Sequence, residues 1–121
     1  MIKTSSSKIY DLESRTYEFA KGCREFVKQL PKTIANIEDG KQLIRSSGSV
    51  AANYIEANEA LSKKDFVHRI KICRKEAKES CLWLKLCDIG VDQDLSKKQE
   101  SLFKEGVELM NIFGSIIRKS A

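Results

Sequence analysis

Apolar residues recur along the chain at helical spacing, in four blocks separated by short polar stretches. In the first block Leu12, Thr16, Phe19, Cys23, Phe26 and Leu30 alternate steps of four and three. That predicts a helix from about Tyr10 to Leu30 with one buried seam, widened by Ala20 and Val27. Pro31 follows the last apolar position, where a helix commonly stops. The second block predicts a helix that starts between Thr33 and Ile37 and reaches Ala60. On a helical wheel Leu43, Ile44, Ser47, Gly48, Val50, Ala51, Tyr54, Ile55, Ala57 and Leu61 fall in an arc of about 180°. Arg45, Ser49, Asn53 and Glu56 fall together on the opposite side. Gly48 lowers helix propensity by about 1 kcal/mol relative to Ala, so a break at Ser46–Ser49 competes with a continuous helix. The apolar arc keeps its phase across the glycine, which favours continuity.

Ser62-Lys-Lys-Asp65 is a capping-box pattern that opens the third block. Its seam is Phe66, Ile70, Cys73, Ala77, Cys81, Leu84 and Cys87, with Gly90 as terminator. After a short acidic connection from Val91 to Leu95, Ser96-Lys-Lys-Gln99 repeats the capping logic for a fourth helix. That helix has Leu102, Phe103, Gly106, Leu109, Met110, Phe113, Ile116 and Ile117 as its seam, and Arg118-Lys119 complement its dipole. Four amphipathic helices with short connections predict an all-α, antiparallel up-down four-helix bundle. Residues 1–9 read as a flexible tail and residues 10–119 as a single bundle domain.

Composition agrees with this picture. At 121 residues there is room for one core, and one proline among many Lys, Glu, Leu and Ala favours long helices. Neither a signal-peptide core nor an apolar run near the ~18 residues of a membrane span stands out. Cys23, Cys73, Cys81 and Cys87 have no metal-site spacing and read as reduced, buried thiols of a cytoplasmic protein.

Charge changes the picture more. The chain carries 22 Lys/Arg against 17 Asp/Glu, and the stretch Ser62–Asp88 alone holds eight against four. Nearly all of the net +5 therefore sits on the third helix. There Lys64, Lys71, Lys75, Lys78 and Lys85 share an arc of about 80°, a row that can follow a phosphate backbone or serve as a solvated face. The same helix carries surplus apolar residues, Ile72, Leu82, Trp83 and Leu86, roughly opposite its seam, as expected of a self-association surface. A Trp lying over the bundle edge is the plainer alternative.

Catalytic groupings do not emerge. His68 is the one histidine, and its Asp65-x-x-His68 spacing has no second copy to complete a carboxylate metal centre. No nucleophile has an evident base, and no glycine-rich phosphate loop exists. Glu56, Glu76 and Glu79 read as salt-bridge partners of Arg45 or Arg74 rather than as an acid–base pair. No enzyme activity, cofactor or metal is expected.

Arg45-Ser-Ser-Gly-Ser-Val-Ala-Ala-Asn-Tyr-Ile-Glu56, followed by Ser62-Lys-Lys-Asp-Phe66 and Lys71–Leu84, resembles the bacterial four-helix-bundle family encoded in intervening sequences of 23S rRNA genes. Asn53 and Glu56 stand at the matching polar places of that family's Ser-(Ile/Val)-x-x-Asn-Ile-Ala-Glu-Gly pattern. Tyr54 and Ile55 replace its Ile-Ala, and Ala57 its glycine. The resemblance implies a ring-like homo-oligomer, typically a pentamer, with no established catalytic activity. The accessory protein of diversity-generating retroelements is a related basic pentamer that binds nucleic acid. It implies RNA or DNA as a partner here, through Lys64, Lys71, Lys75, Lys78 and Lys85. The alternative is a protein–protein scaffold or adaptor. Arg45, Asn53 and Glu56 are expected to form hydrogen bonds at a helix or subunit contact.

Overall fold

A computed structural model of the chain describes residues 11–121. They form four α-helices: α1 (Leu12–Lys28), α2 (Ile34–Asn58), α3 (Lys63–Leu86) and α4 (Gln93–Lys119). The described residues contain no strand. The expected tail over residues 1–9 and the expected start of the first helix at Tyr10 lie outside the described residues.

Side-chain caps set three of the four starts. Thr33 Oγ1 accepts the Asn36 N–H at 3.1 Å, and Ser62 Oγ accepts the Asp65 N–H at 3.1 Å, satisfying donors that a helix leaves free in its first turn. The fourth start differs from the sequence expectation. Asp92, not Ser96, caps α4 by accepting the Leu95 N–H at 3.0 Å. The helix begins one turn early because this brings Leu95 into the core, where it is fully buried. Gln99 consequently does not serve a capping box. Its Nε2 donates to the Leu84 and Cys87 carbonyls at 2.8 and 3.0 Å, closing the free carbonyl end of α3. α3 stops at Leu86, ahead of Gly90, whose φ of +72° instead turns the connection. α2 runs unbroken through Gly48.

Each helix buries the face its periodicity presents, with one exception. Leu12, Thr16, Phe19, Cys23, Phe26 and Leu30 are buried, as are Ile70, Cys73, Ala77, Cys81, Leu84 and Cys87 of the third seam. Leu109 and Phe113 are fully buried on α4. Each such Leu or Phe contributes about 1.5–3 kcal/mol of transfer free energy.

The exception is α2. Asn36, Gly40, Leu43, Ser46, Ser47, Val50 and Ala57 are its buried residues, while Ile55 is 47% exposed. The helix ends at Asn58, short of the expected Ala60, so Leu61 lies beyond it and is 98% exposed. The buried arc is rotated toward the serines because α2 lies against both α1 and α3. Small side chains on the α3 side let the two helices close to an Ser46 Oγ–Ser80 Oγ hydrogen bond of 2.8 Å, with both hydroxyls fully buried.

α2 packs broadly on α3, α3 on α4 and α1 on α2, while the α1–α4 contact is thinner. Arg15 bridges that thin edge. Its Nε and Nη2 donate to the two carboxylate oxygens of Glu105 at 3.0 and 2.8 Å, and Nη2 also reaches Glu108 at 2.6 Å. These bonds hold the guanidinium pKa above its ordinary value. Among the described residues no helix is long and apolar enough to cross a membrane.

Candidate functional site

The third helix exposes its basic face. Lys64, Lys71, Lys75, Lys78 and Lys85 are all exposed, and among the described residues none of them is ion-paired. They follow the seam between α3 and α4. Lys63, Lys64 and Lys71 line one shallow depression with Ser120, the residue that caps the end of α4, and Lys71, Arg74, Lys75 and Lys78 line the next with Ile117. At the far end Lys85 Nζ sits 5.7 Å from the Phe103 ring centroid, a cation–π contact that tethers it to α4.

Two arginines join this face that the wheel of α3 alone did not single out. Arg74 and Arg118 lie over Gly114, where a Cβ would come 3.4 Å from Arg118 Nη1 and 4.0 Å from Arg74 Cδ. Arg118 reads from sequence as a dipole complement at the end of α4. Its neighbourhood is set by how α3 and α4 dock, which no single-helix pattern encodes.

The apolar group on α3 is divided by the fold. Leu82 is 50% and Leu86 52% exposed, side by side on the outer surface. Ile72 is half-buried, and Trp83 packs partly against the core. The Trp83 Nε1–H is shielded from solvent and has no hydrogen-bond partner among the described residues.

Of the family-pattern residues, Arg45 and Glu56 are exposed, as the wheel implies, and Asn53 is half-buried. Arg45 reaches across to α3, with Nη2 3.4 Å from Glu76 Oε1 and 3.3 Å from Glu79 Oε1, while Nε contacts Gln42 at 3.3 Å. Asn53 Nδ2 donates to Ser49 O and Oγ, which orients its Oδ1 to accept from Arg69 Nη1 at 3.0 Å. Glu56 is exposed and lines a shallow depression with Glu59, Asp65, His68 and Arg69. Arg45 and Asn53 thus stitch α2 to α3. The rotation of α2 that buries Ser46 is what brings them there.

The thiols are chemically quiet. Burial raises the pKa of Cys23 and Cys73 to about 12 and of Cys87 to about 11, and it also pushes Cys81 up. All four are free and protonated at neutral pH. Among the described residues no group of three His, Cys, Asp or Glu side chains is placed to hold a metal ion.

Fold and surface together define an all-α four-helix protein whose α3 carries a basic face with no ion pair to its five lysines among the described residues, and with polar stitches between neighbouring helices. The chain belongs to the 23S rRNA-intervening sequence protein family, whose pattern matches residues 9–114. It is similar to a crystal structure of a protein with unknown function from the S23 ribosomal protein family of Bacteroides thetaiotaomicron. The TM-score is 0.70 at 28% identity, over 87% of this chain and 96% of that one. No curated protein matches the chain.

Proposed function

We propose that the protein is a non-enzymatic, cytoplasmic, antiparallel up-down bundle that binds RNA or DNA through the α3 face and acts as a homo-oligomer. One observation carries the nucleic-acid reading. Five lysines stand exposed along a single helix without carboxylate partners among the described residues, whereas Arg15 and Arg45 are each held by two glutamates. Charges left unpaired on one face are available for phosphate, and binding through them releases counterions. The up-down order is supported by neighbouring ends: Ser120 beside Lys63, and Gln99 beside Leu84.

Self-association is supported by the exposed Leu82 and Leu86 beside Trp83, whose N–H has no partner among the described residues; the ring-like pentamer rests on the family resemblance alone. An assembly would repeat the basic face and raise avidity without any new contact. The same apolar patch favours the second reading, a scaffold whose partner is another protein and whose lysines serve solubility.

A salt titration of binding to a structured RNA separates the two. The nucleic-acid reading expects affinity at low salt that falls linearly in log–log form as salt rises. No binding at low salt, or binding indifferent to salt, leaves the scaffold.

A further inference from the structure

Resting on the nucleic-acid reading above, we propose that the α3 face takes a double-stranded nucleic acid, gripped by its two phosphate backbones without regard to base sequence, rather than a single strand. Sites for single strands combine a charged groove with aromatic side chains on which bases stack. Among the described residues the α3–α4 face carries no free aromatic platform. Phe19, Phe26 and Phe113 are fully buried, and Tyr54, Phe66 and Trp83 are partly buried and packed against the core. Phe103, which does touch the face, lies beneath Lys85. Among the described residues the exposed aromatic is Tyr17, 57% exposed. It sits on α1, which packs on α2 and α4 and not broadly on α3.

The dimensions fit a duplex. Lys64 to Lys85 span about 31 Å at 1.5 Å rise per residue, close to one turn of a double helix. The cations fall into three groups along that length: Lys64, then Lys71 to Lys78, then Lys85, with gaps of about 10 Å between groups. Arg74 and Arg118 broaden the middle onto α4, so the face is two helices wide. A face two helices wide can meet both strands of a duplex at once, the lysines lying along its shallow α3–α4 depressions. Among the described residues it offers a flexible single strand charge but no stacking platform. Lysines that reach only phosphates carry no sequence information.

The test is direct binding at low salt of the full chain to four probes of equal length: a blunt RNA duplex, a DNA duplex of the same sequence, a duplex of scrambled sequence, and an unstructured single-stranded RNA. The expected result is at least ten-fold tighter binding of duplex than of single strand, with scrambled and original duplexes equal. Replacing Lys71, Lys75 and Lys78 by Ala should reduce the salt slope by about 2 to 3, given roughly 0.9 per phosphate neutralised. Tyr17→Ala should leave all affinities unchanged. Equal or tighter binding of the single strand overturns the duplex assignment while the nucleic-acid reading stands. Failure of every probe at low salt overturns both. A preference between the RNA and DNA duplexes identifies which backbone geometry the face fits.

Discussion

The carboxamide of Asn36 closes both backbone hydrogen bonds of Asp88: its Nδ2 donates to Asp88 O at 2.8 Å and its Oδ1 accepts from Asp88 N–H at 2.9 Å. The same Nδ2 donates to Pro31 O at 3.0 Å. One 2%-exposed side chain in the first turn of α2 thereby ties the α1–α2 connection to the α3–α4 connection. Asn36→Ala is expected to cost about 2 to 4 kcal/mol, because the backbone groups of Asp88 and Pro31 lose their partner. Asn36→Asp keeps the shape but turns an acceptor toward two carbonyls, so it should cost at least as much at neutral pH and less once the carboxyl is protonated. Urea unfolding followed by circular dichroism measures both, and a loss below about 0.5 kcal/mol would show that the tie is dispensable.

Two glycines inside helices should respond with opposite signs. At Gly106 a Cβ would lie 2.7 Å from Cys81 Sγ and 3.4 Å from Phe19 Cζ, both in the core. Gly106→Ala should therefore destabilise by about 1 to 2 kcal/mol, overpacking outweighing the propensity gained. Cys81→Ala in the same chain should recover part of that loss. At Gly48 the nearest atom is Arg24 Nη2 at 3.4 Å, the mobile tip of a surface side chain. Gly48→Ala is expected to stabilise by about 0.5 to 1 kcal/mol. Thermal melts of the three variants read all these changes.

Stability should fall in alkali through the buried thiols. Burial raises Cys23 and Cys73 from 9.0 to about 12 and Cys87 from 9.0 to about 11. Between those values the unfolded chain has released protons that the folded chain still holds, so unfolding is favoured as pH rises. This contribution is intact below pH 9 and declines above it, at up to about 1.4 kcal/mol per pH unit for each thiol. Comparing urea midpoints at pH 7.5 and 10 for the wild type and for Cys23→Ala/Cys73→Ala checks the sign. The double variant should show the shallower decline, whatever its stability at neutral pH. An unchanged decline would mean that these thiols are not the groups responsible.

Arg15→Ala removes the ionic bridge across the thin α1–α4 edge. The pair is partly screened, with Arg15 15% and Glu105 31% exposed at their side chains. A bidentate pair in this setting is expected to contribute about 1 kcal/mol, less in high salt. The sharper readout is hydrogen exchange, where amides of α1 should lose protection before those of α3. Equal loss across both helices would mean that the bridge does not hold the edge.

If Leu82 and Leu86 cover one another's counterparts between copies, Leu82→Glu/Leu86→Glu should leave a 13.7 kDa monomer in light scattering. The wild type should be larger. A wild-type monomer at micromolar concentration removes self-association, and an assembly that survives the double substitution moves the contact elsewhere.

Much of the fold could be read from one-dimensional spacing, since a helix that buries one face must repeat apolar residues every three or four positions. The seams of α1 and α3 follow that rule almost residue by residue, and Ser62 caps α3 as its capping-box pattern predicts. The basic row is equally legible, because five lysines on one helix share a face whatever surrounds it.

Tertiary structure decided what depends on two elements at once. The rotation of α2 is one case: the wheel favours Ile55, but only the approach of α3 makes Ser46 the better interior residue. The reach of Arg45 to Glu76 and Glu79, and of Arg69 to Asn53, follows from that rotation. Asn36 and Gln99 are another case, since a polar side chain becomes structural only when a distant chain end offers it unpaired backbone groups. So is the second row of the basic face, where Arg118 of α4 and Arg74 of α3 both lie over Gly114. Local periodicity determines which side of a helix is apolar. Which of its polar residues find partners is fixed by the neighbour that docks there.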